Sequence, residues 1–297
     1  MIKLACNDYV YAFSKDNKPA LRIKSGDIVE IQTMDCFAGQ LISETDKLSE
    51  IDFDRINPIT GPIYIEGARE GDTLKVTIEK IETGDRGVMC TGAGQGVLGD
   101  IMEGISEKIV DLDGNYAFFS DKLKLPLNKM VGVIGVAPKD GEASSRAPGS
   151  HGGNMDNKMI TEKAAVYFPV FTDGAFFALG DVHAAMGDGE VGGSGIEVPA
   201  QVTVKLEIVN NIKLVNPFVE NENFISTVAS ALRIEDAVHT AVYDMDNLLK
   251  GKLTLCGYDR SMLLSAVGNV EICQVINSLK TVRFNVPKRI GGFLWVS

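Results

Sequence analysis

The stretch Val202-Thr-Val-Lys-Leu-Glu-Ile208 alternates between apolar and polar side chains at every position. A period of two is typical of a β-strand that buries one face and exposes the other. Residues 74–79 show the same alternation. Three short apolar runs lie between residues that favour turns, at 28–31, 131–136 and 164–171. We therefore predict a mainly β body over residues 1–215, organised as a sandwich or barrel.

The pattern changes near Asn216-Pro217. From Ile234 onward, apolar residues recur every three or four positions, and Lys250-Gly251 follows the last of them. This spacing predicts an amphipathic helix that ends at Gly251. His239 lies off the apolar stripe and is predicted to be exposed on this helix.

A small C-terminal α/β portion is predicted after the body. It contains the long helix, a shorter helix at 261–267, and strands at 270–276 and 282–286. We accordingly divide the chain into a β-rich body at 1–215, a small α/β domain at 216–286 and a C-terminal tail at 287–297.

Composition restricts the class of protein. The chain has 297 residues, 45% of them hydrophobic, and a formal net charge of −11. The charge disfavours a nucleic-acid partner, since binding to phosphates needs clustered Lys and Arg. No apolar run is as long as a membrane span, and the N-terminus lacks the apolar stretch of a signal peptide, so we expect a cytoplasmic protein without a membrane partner. Five scattered cysteines suggest neither a disulfide framework nor a cysteine zinc site.

The segment Gly180-Asp-Val-His-Ala-Ala-Met-Gly-Asp-Gly-Glu190 is dense in acids and contains one of the three histidines. Asp181 and His183 are two apart, so on a strand their side chains share a face. Two glycines flank Asp188 and favour a tight turn that brings Glu190 back toward the strand end. Asp188 itself is interpreted as a turn residue, while Asp181, His183 and Glu190 are candidates for a metal or acid/base site.

A second polar cluster precedes it, in His151-Gly-Gly-Asn-Met-Asp156, after the loop signal Ala147-Pro-Gly149. Two of the three histidines therefore lie between residues 151 and 183. A loop this rich in glycine is predicted to make close backbone turns near a site.

Four segments, in this order, resemble the acetamidase/formamidase family. They are Asp35-Cys-Phe-Ala-Gly-Gln40, residues 57–74, Gly149-Ser-His-Gly-Gly-Asn-Met-Asp156, and the run from Gly180 through Glu190 to Glu197. The resemblance implies hydrolysis of a small amide to a carboxylate and ammonia. It also implies a β-rich body with an α/β portion, a bound divalent metal and a homo-oligomer, dimeric or larger.

Amide hydrolysis needs a strong nucleophile, stabilisation of the oxyanion and a proton for the leaving nitrogen. A metal-activated water meets the first two needs. We predict Asp35, Asp156 and His183 as metal ligands, with zinc as the expected ion and calcium as the alternative. We expect Asp181 to take part in catalysis as a further metal ligand beside His183. Glu190 is predicted to act first as general base and then as general acid. His151 and Asn154 are predicted to contact the substrate, His151 also being a possible ligand.

Two alternatives remain open from the residues alone. Cys36, next to Asp35, is a candidate nucleophile for a thiol-dependent amidase. The same carboxylates also suit a structural ion in a β-sandwich that binds a small molecule without turnover.

Overall fold

The computed structural model of the chain describes residues 1–250, 252–290 and 293–294. The described residues form 25 β-strands, two α-helices and two short 3-10 helices. The prediction of a mainly β fold with a C-terminal helical portion is confirmed.

The first thirteen strands are β1 (Ile2–Leu4), β2 (Tyr9–Val10), β3 (Ala12–Ser14), β4 (Leu21–Lys24), β5 (Ile28–Thr33), β6 (Ile59–Glu66), β7 (Thr73–Thr83), β8 (Arg86–Gly92), β9 (Ile105–Leu112), β10 (Tyr116–Ser120), β11 (Leu123–Pro126), β12 (Met130–Gly135) and β13 (Glu142–Ser144). The others are β14 (Pro148–Gly149), β15 (Gly152–Asn154), β16 (Ala165–Pro169), β17 (Phe177–His183), β18 (Glu197–Val198), β19 (Ala200–Val209), β20 (Phe218–Glu220), β21 (Phe224–Ala231), β22 (Asn269–Gln274), β23 (Lys280–Pro287), β24 (Arg289–Ile290) and β25 (Phe293–Leu294). The α-helices are α1 (Ile234–Lys250) and α2 (Gly257–Val267), and the 3-10 helices are Leu48–Glu50 and Phe53–Arg55.

Two large sheets form the body. One has nine strands in the order β1-β5-β19-β7-β16-β20-β21-β23-β22. The other has twelve, with β11-β10-β9-β8-β18-β17-β12-β15-β14 along its main path. Off this path, β6 pairs with β17, and β2 and β4 pair with β6. β19 contains the alternating segment quoted first, and it pairs with both β5 and β7.

The main core lies between these sheets. Its largest cluster joins side chains of the nine-stranded sheet, such as Val76 and Val204, to side chains of the twelve-stranded sheet, such as Val131 and Leu179. All four are fully buried. The even-numbered residues 202–206 of β19 face this core, as their alternation predicts.

The C-terminal portion extends the nine-stranded sheet. Strands β20 to β23 continue it beyond β16, and α1 packs against β21 and β23. α1 buries Ala237, Ala241, Met245 and Leu249, one residue per turn, and begins at Ile234 as predicted. Residues 216–286 thus share a sheet with the body, and their division into a separate domain stays a prediction.

Three smaller points complete the fold. His239 is exposed on α1, as predicted. Neither described helix is long and apolar enough to cross a membrane. The predicted helix end at Gly251, and residues 291–292 and 295–297 of the predicted tail, lie outside the described residues.

A cap formed by residues 35–57 packs against strands β8 and β9 of the twelve-stranded sheet. It contains both 3-10 helices and has its own apolar cluster, in which Phe37, Leu41 and Leu48 pack against Val88 of β8. The cap forms one wall of the site described next.

Candidate active site

Strand β17 carries the centre of the site. It pairs with β12 on one side and with β18 and β6 on the other, and it ends with Asp181, Val182 and His183. Asp156 lies just after β15, which also pairs with β12, while Glu190 lies in the turn between β17 and β18. Strand pairing therefore brings together side chains from three separate segments.

The first cluster is the His183 group, which we define as Asp156, His183 and Glu190. One potential ligand atom from each residue lies within 4.8 Å of the other two. All three residues are buried, and His183 has no exposed surface. The predicted return of Glu190 toward the strand end occurs in the structure.

The second cluster is the Cys36 group, which we define as Cys36, Asp181 and Glu197. Its ligand atoms also lie within 4.8 Å of one another. His183 adjoins it, because the imidazole Nε2 lies 3.1 Å from Glu197 Oε2 and 3.5 Å from Asp181 Oδ1. The site is thus one continuous set of five ionisable groups and a thiol.

Burial controls the charges of this set. It raises the pKa of Asp156 to about 6, of Glu197 to about 7 and of Glu190 well above its usual value, and neighbouring carboxylates add to each rise. Burial lowers the pKa of the His183 imidazole, but Glu197 and Asp181 outweigh it and the net direction is upward. A cation in this place would relieve the crowding of negative charge.

Three of the carboxylates stand on strained backbone. Asp156, Asp181 and Glu190 have φ values of 45°, 55° and 46°. Residues other than glycine rarely adopt positive φ, and such strain persists only where the surroundings hold it. The paired strands and loops around the site must therefore supply that constraint.

Two glycines make room for the cluster. A Cβ on Gly132 of β12 would lie 2.7 Å from Asp156 Oδ1 and 2.9 Å from Asp181 Oδ2. A Cβ on Gly195 would lie 2.5 Å from His183 Nδ1. Any side chain at either position would collide with the site, so glycine is needed there for space.

Amide side chains support the carboxylates. Asn277 Nδ2 donates to Asp156 Oδ2 at 3.0 Å. Asn154, with its amide nitrogen turned toward Asp156, donates to the same oxygen at 2.8 Å. Asn57 Nδ2 donates to Asp181 Oδ2 at 3.2 Å. These contacts orient Asp156 and Asp181 within the site.

A cavity of about 620 Å³ opens onto these groups. Glu190, Asp181, Glu197 and Asn154 line its polar side, with Asn277 beside them. Its apolar wall comes from the cap and contains Phe37, Leu48, Phe53 and Ile56. A substrate in the cavity therefore meets carboxylate groups on one side and an apolar surface on the other.

Two predicted site residues are not brought into these groups. Asp35 accepts the backbone N–H of Phe37 at 2.8 Å and that of Gly39, so its carboxylate holds its own turn. His151 packs edge-on against Phe13 and is not among the described residues that line the cavity. Burial lowers the pKa of His151 to about 4, so its imidazole is neutral at neutral pH.

Other contributors were missed at the sequence level. Glu197 ended the quoted family segment but was given no role, although β17–β18 pairing sets it opposite His183. The interpretation of Asp188 as a turn residue was incomplete, because its carboxylate also pairs with Arg283 and Lys158. No local pattern around Asn277 or Arg283 indicates a site.

The His183 group fits a divalent metal ion. His183 Nδ1 and Glu190 Oε2 lack a hydrogen-bond partner among the described residues. Buried polar atoms are normally paired, so these atoms suit a bound group. Imidazole nitrogen and carboxylate oxygen are zinc ligands, and a set rich in carboxylates also suits calcium.

Comparison with known proteins identifies relatives of this chain. The sequence profile described as the acetamidase/formamidase family matches residues 11–145 and 141–235. A formamidase from Methylophilus methylotrophus is 25% identical over 248 residues, which cover 64% of this chain and 61% of that relative. The matched part thus spans less than two thirds of the length of this curated relative.

Solved structures match over nearly the whole chain. A predicted acetamidase/formamidase from the thermophile Thermoanaerobacter tengcongensis has a TM-score of 0.95 and 50% identity, with 97% of this chain and 95% of that chain covered. An acetamidase from Bacillus halodurans has a TM-score of 0.95 and 39% identity, with 97% of each chain covered. The chain belongs to the acetamidase/formamidase family.

Proposed function

We propose that this protein hydrolyses a small amide, of the formamide or acetamide class, to a carboxylate and ammonia. The observation that carries the proposal is the His183 group, in which three buried ligand atoms converge within 4.8 Å next to a cavity. Family membership supports the same reaction class.

Asp156 and His183 would hold a divalent ion, with zinc as the expected metal and calcium as the alternative. When bound, the ion supplies a Lewis acid and lowers the pKa of water. Asp181 and Glu197 flank His183 Nε2 and orient the imidazole. Asp35 is left out of the proposed ligand set because its carboxylate is bonded to backbone N–H groups.

Glu190 is the proposed proton carrier. It lies beside Asp156 and His183 and also lines the cavity, so its carboxylate can reach both the site and the substrate. Its Oε2 would accept a proton from the attacking water and deliver it to the amide nitrogen as the C–N bond breaks. Burial raises the pKa of Glu190, which makes its carboxylate a stronger base, and a bound cation beside it would oppose this rise.

Asn154 is the better placed of the two predicted substrate contacts. Asn154 lines the cavity, whereas His151 packs against Phe13 and is not among the lining residues. We therefore keep Asn154 as the proposed substrate contact and assign His151 to the packing of the 148–154 loop.

Ammonia release from formamide, acetamide and propionamide tests the proposal. We expect turnover of at least one of them, loss of turnover after chelation, and recovery with added zinc or calcium. Full turnover by metal-free protein would exclude a catalytic role for the metal. If no amide releases ammonia, amide hydrolysis is excluded as the function. The implied homo-oligomer can be tested separately by light scattering coupled to size-exclusion chromatography.

A further inference from the structure

One guanidinium group contacts both loops that carry the His183 group. Arg283 lies in β23, in the C-terminal portion, and its side chain is 1% exposed. Its Nη1 and Nη2 donate to the two carboxylate oxygens of Asp188 at 2.8 and 2.7 Å. Nη1 also donates to Asn157 Oδ1 at 3.2 Å. Glu271 accepts from Nε at 2.8 Å and is also bonded to Nη2.

These partners stand next to the proposed site residues. Asn157 follows Asp156 directly, and Asp188 precedes Glu190 by two positions. The backbone of the loop that contains Asp188 is hydrogen-bonded to the end of β22. Gly189 N–H donates to the carbonyl oxygen of Cys273 at 2.9 Å, and Val275 N–H donates to the carbonyl oxygen of Gly189 at 3.1 Å. Strands β22 and β23 thus anchor the segment that ends at Glu190.

The anchoring has a physical reason. Asp156 and Glu190 both have positive φ, which their own conformational preferences oppose. A rigid, planar guanidinium with two fixed donor directions restrains a carboxylate more closely than a flexible ammonium group does. Lys158, which follows Asn157 in the same loop, also contacts Asp188 at 2.7 Å, but it does so through a single flexible ammonium group.

We propose that Arg283 is a positioning residue, which sets Asp156 and Glu190 in register with His183 by holding Asn157 and Asp188. Arg283 does not line the cavity and touches no reacting group. The inference rests on the proposed function, because positioning is meaningful only for a site that acts. It extends the site beyond residues 11–235, where the family profile matches.

The test uses Arg283→Met, Asp188→Asn and the double variant, with Arg260→Met as a matched control. Arg260 forms a comparable two-donor pair with Asp246, at 2.7 and 3.1 Å, between the two helices of the same C-terminal portion. Arg260 does not contact the site loops, so this control removes an ion pair of similar geometry without changing them.

We expect Arg283→Met to lower kcat by about 10- to 100-fold, the range found when groups that orient a metal ligand are lost, with little change in KM. Asp188→Asn should lower kcat in the same direction, and the double variant should fall no further than the more impaired single variant. Arg260→Met should retain kcat. Multiplicative losses in the double variant, or unchanged kcat in folded Arg283→Met, would overturn the inference.

Hydrogen exchange separates this inference from the proposed function. Peptides that contain residues 154–157 and 187–190 should exchange faster in Asp188→Asn than in Arg260→Met, whether or not the protein turns over an amide. If the wild-type protein hydrolyses no amide, the proposed function fails while this measurement still decides whether Arg283 and Asp188 hold the loops. Should Arg283→Met fail to fold, Asp188→Asn, whose side chain is partly exposed, carries the test alone. Unchanged exchange in both loops would overturn the inference.

Discussion

The His183 group and the Cys36 group lie side by side, yet they offer different chemistry. Both place three potential ligand atoms within 4.8 Å of one another and both are buried. The His183 group presents an imidazole and two carboxylates, whereas the Cys36 group presents two carboxylates and a thiol. Burial, together with Glu197, Asp181 and Asp35, raises the pKa of the Cys36 thiol well above its usual value.

The difference shows that proximity alone does not define a metal site. A thiol must lose its proton to bind a metal or attack a carbonyl, and burial among carboxylates opposes that loss. Imidazole and carboxyl groups ordinarily lose their protons at lower pH than a thiol does, so they give them up more readily to an incoming cation. We therefore assign metal binding to the His183 group, and we assign the orientation of His183 to Asp181 and Glu197.

The largest effect is expected from His183→Ala. This variant removes the imidazole ligand, so we expect loss of bound metal and a fall in kcat/KM beyond the roughly 10⁴-fold upper range for a single acid/base group. Metal content by plasma mass spectrometry and ammonia release measure the two effects. His239→Ala, at an exposed position of α1, is the control and should keep both. If the His183→Ala variant retains bound metal and turnover, the metal does not bind at the His183 group.

Glu190→Gln should have the next largest effect. The amide keeps the size of the side chain but cannot carry the proton, so we expect kcat to fall by about 10²- to 10⁴-fold. Circular dichroism and thermal unfolding should show an intact fold. A nearly normal kcat in Glu190→Gln would mean that another carboxylate of the cavity carries the proton. The kcat of Glu197→Gln would then be measured and compared with that of Glu190→Gln.

A smaller effect is expected from Gly195→Ala. The added methyl group would lie 2.5 Å from His183 Nδ1, so the imidazole must shift away from its present contacts. We expect kcat to fall by about 10- to 100-fold, as for other changes that displace a metal ligand without removing it. Gly192→Ala is the matched control in the same loop, since a Cβ there meets nothing within 4 Å. Equal losses in both variants would mean that the loop as a whole, rather than the imidazole, is disturbed.

Much of the fold follows from local patterns. The alternation at 202–208 predicted strand β19, and the stripe that starts at Ile234 predicted α1. The spacing of Asp181 and His183 also brought those side chains together, because both lie at the end of one strand. In each case the relevant contact is set by neighbouring residues in the sequence.

The rest of the site depends on contacts between distant segments. Glu197 reaches His183 through the register of β17 and β18, and Asn277 reaches Asp156 because the C-terminal strands continue a body sheet. No local pattern reports such pairings. Asp35 differs from Glu197 and Asn277, because its contact is local: its carboxylate accepts the backbone N–H of Phe37, two residues later. Aspartate commonly forms such a turn, so the sequence itself allowed a structural role for Asp35 in place of a ligand role.

The smallest effect is expected from Cys36→Ala. Cys36 lines the cavity and lies near Asp181 and Glu197, so its position alone suits a nucleophile. Its raised pKa keeps the thiol protonated, and no histidine is a member of its group. We therefore expect kcat/KM to change by less than about tenfold, which corresponds to about 1.4 kcal/mol of transition-state stabilisation. Cys90→Ala is the matched control, because Cys90 also lines the cavity and burial raises its pKa to about 12. A much larger loss in Cys36→Ala than in Cys90→Ala, with metal content unchanged, would favour covalent catalysis and reverse the assignment of the two groups.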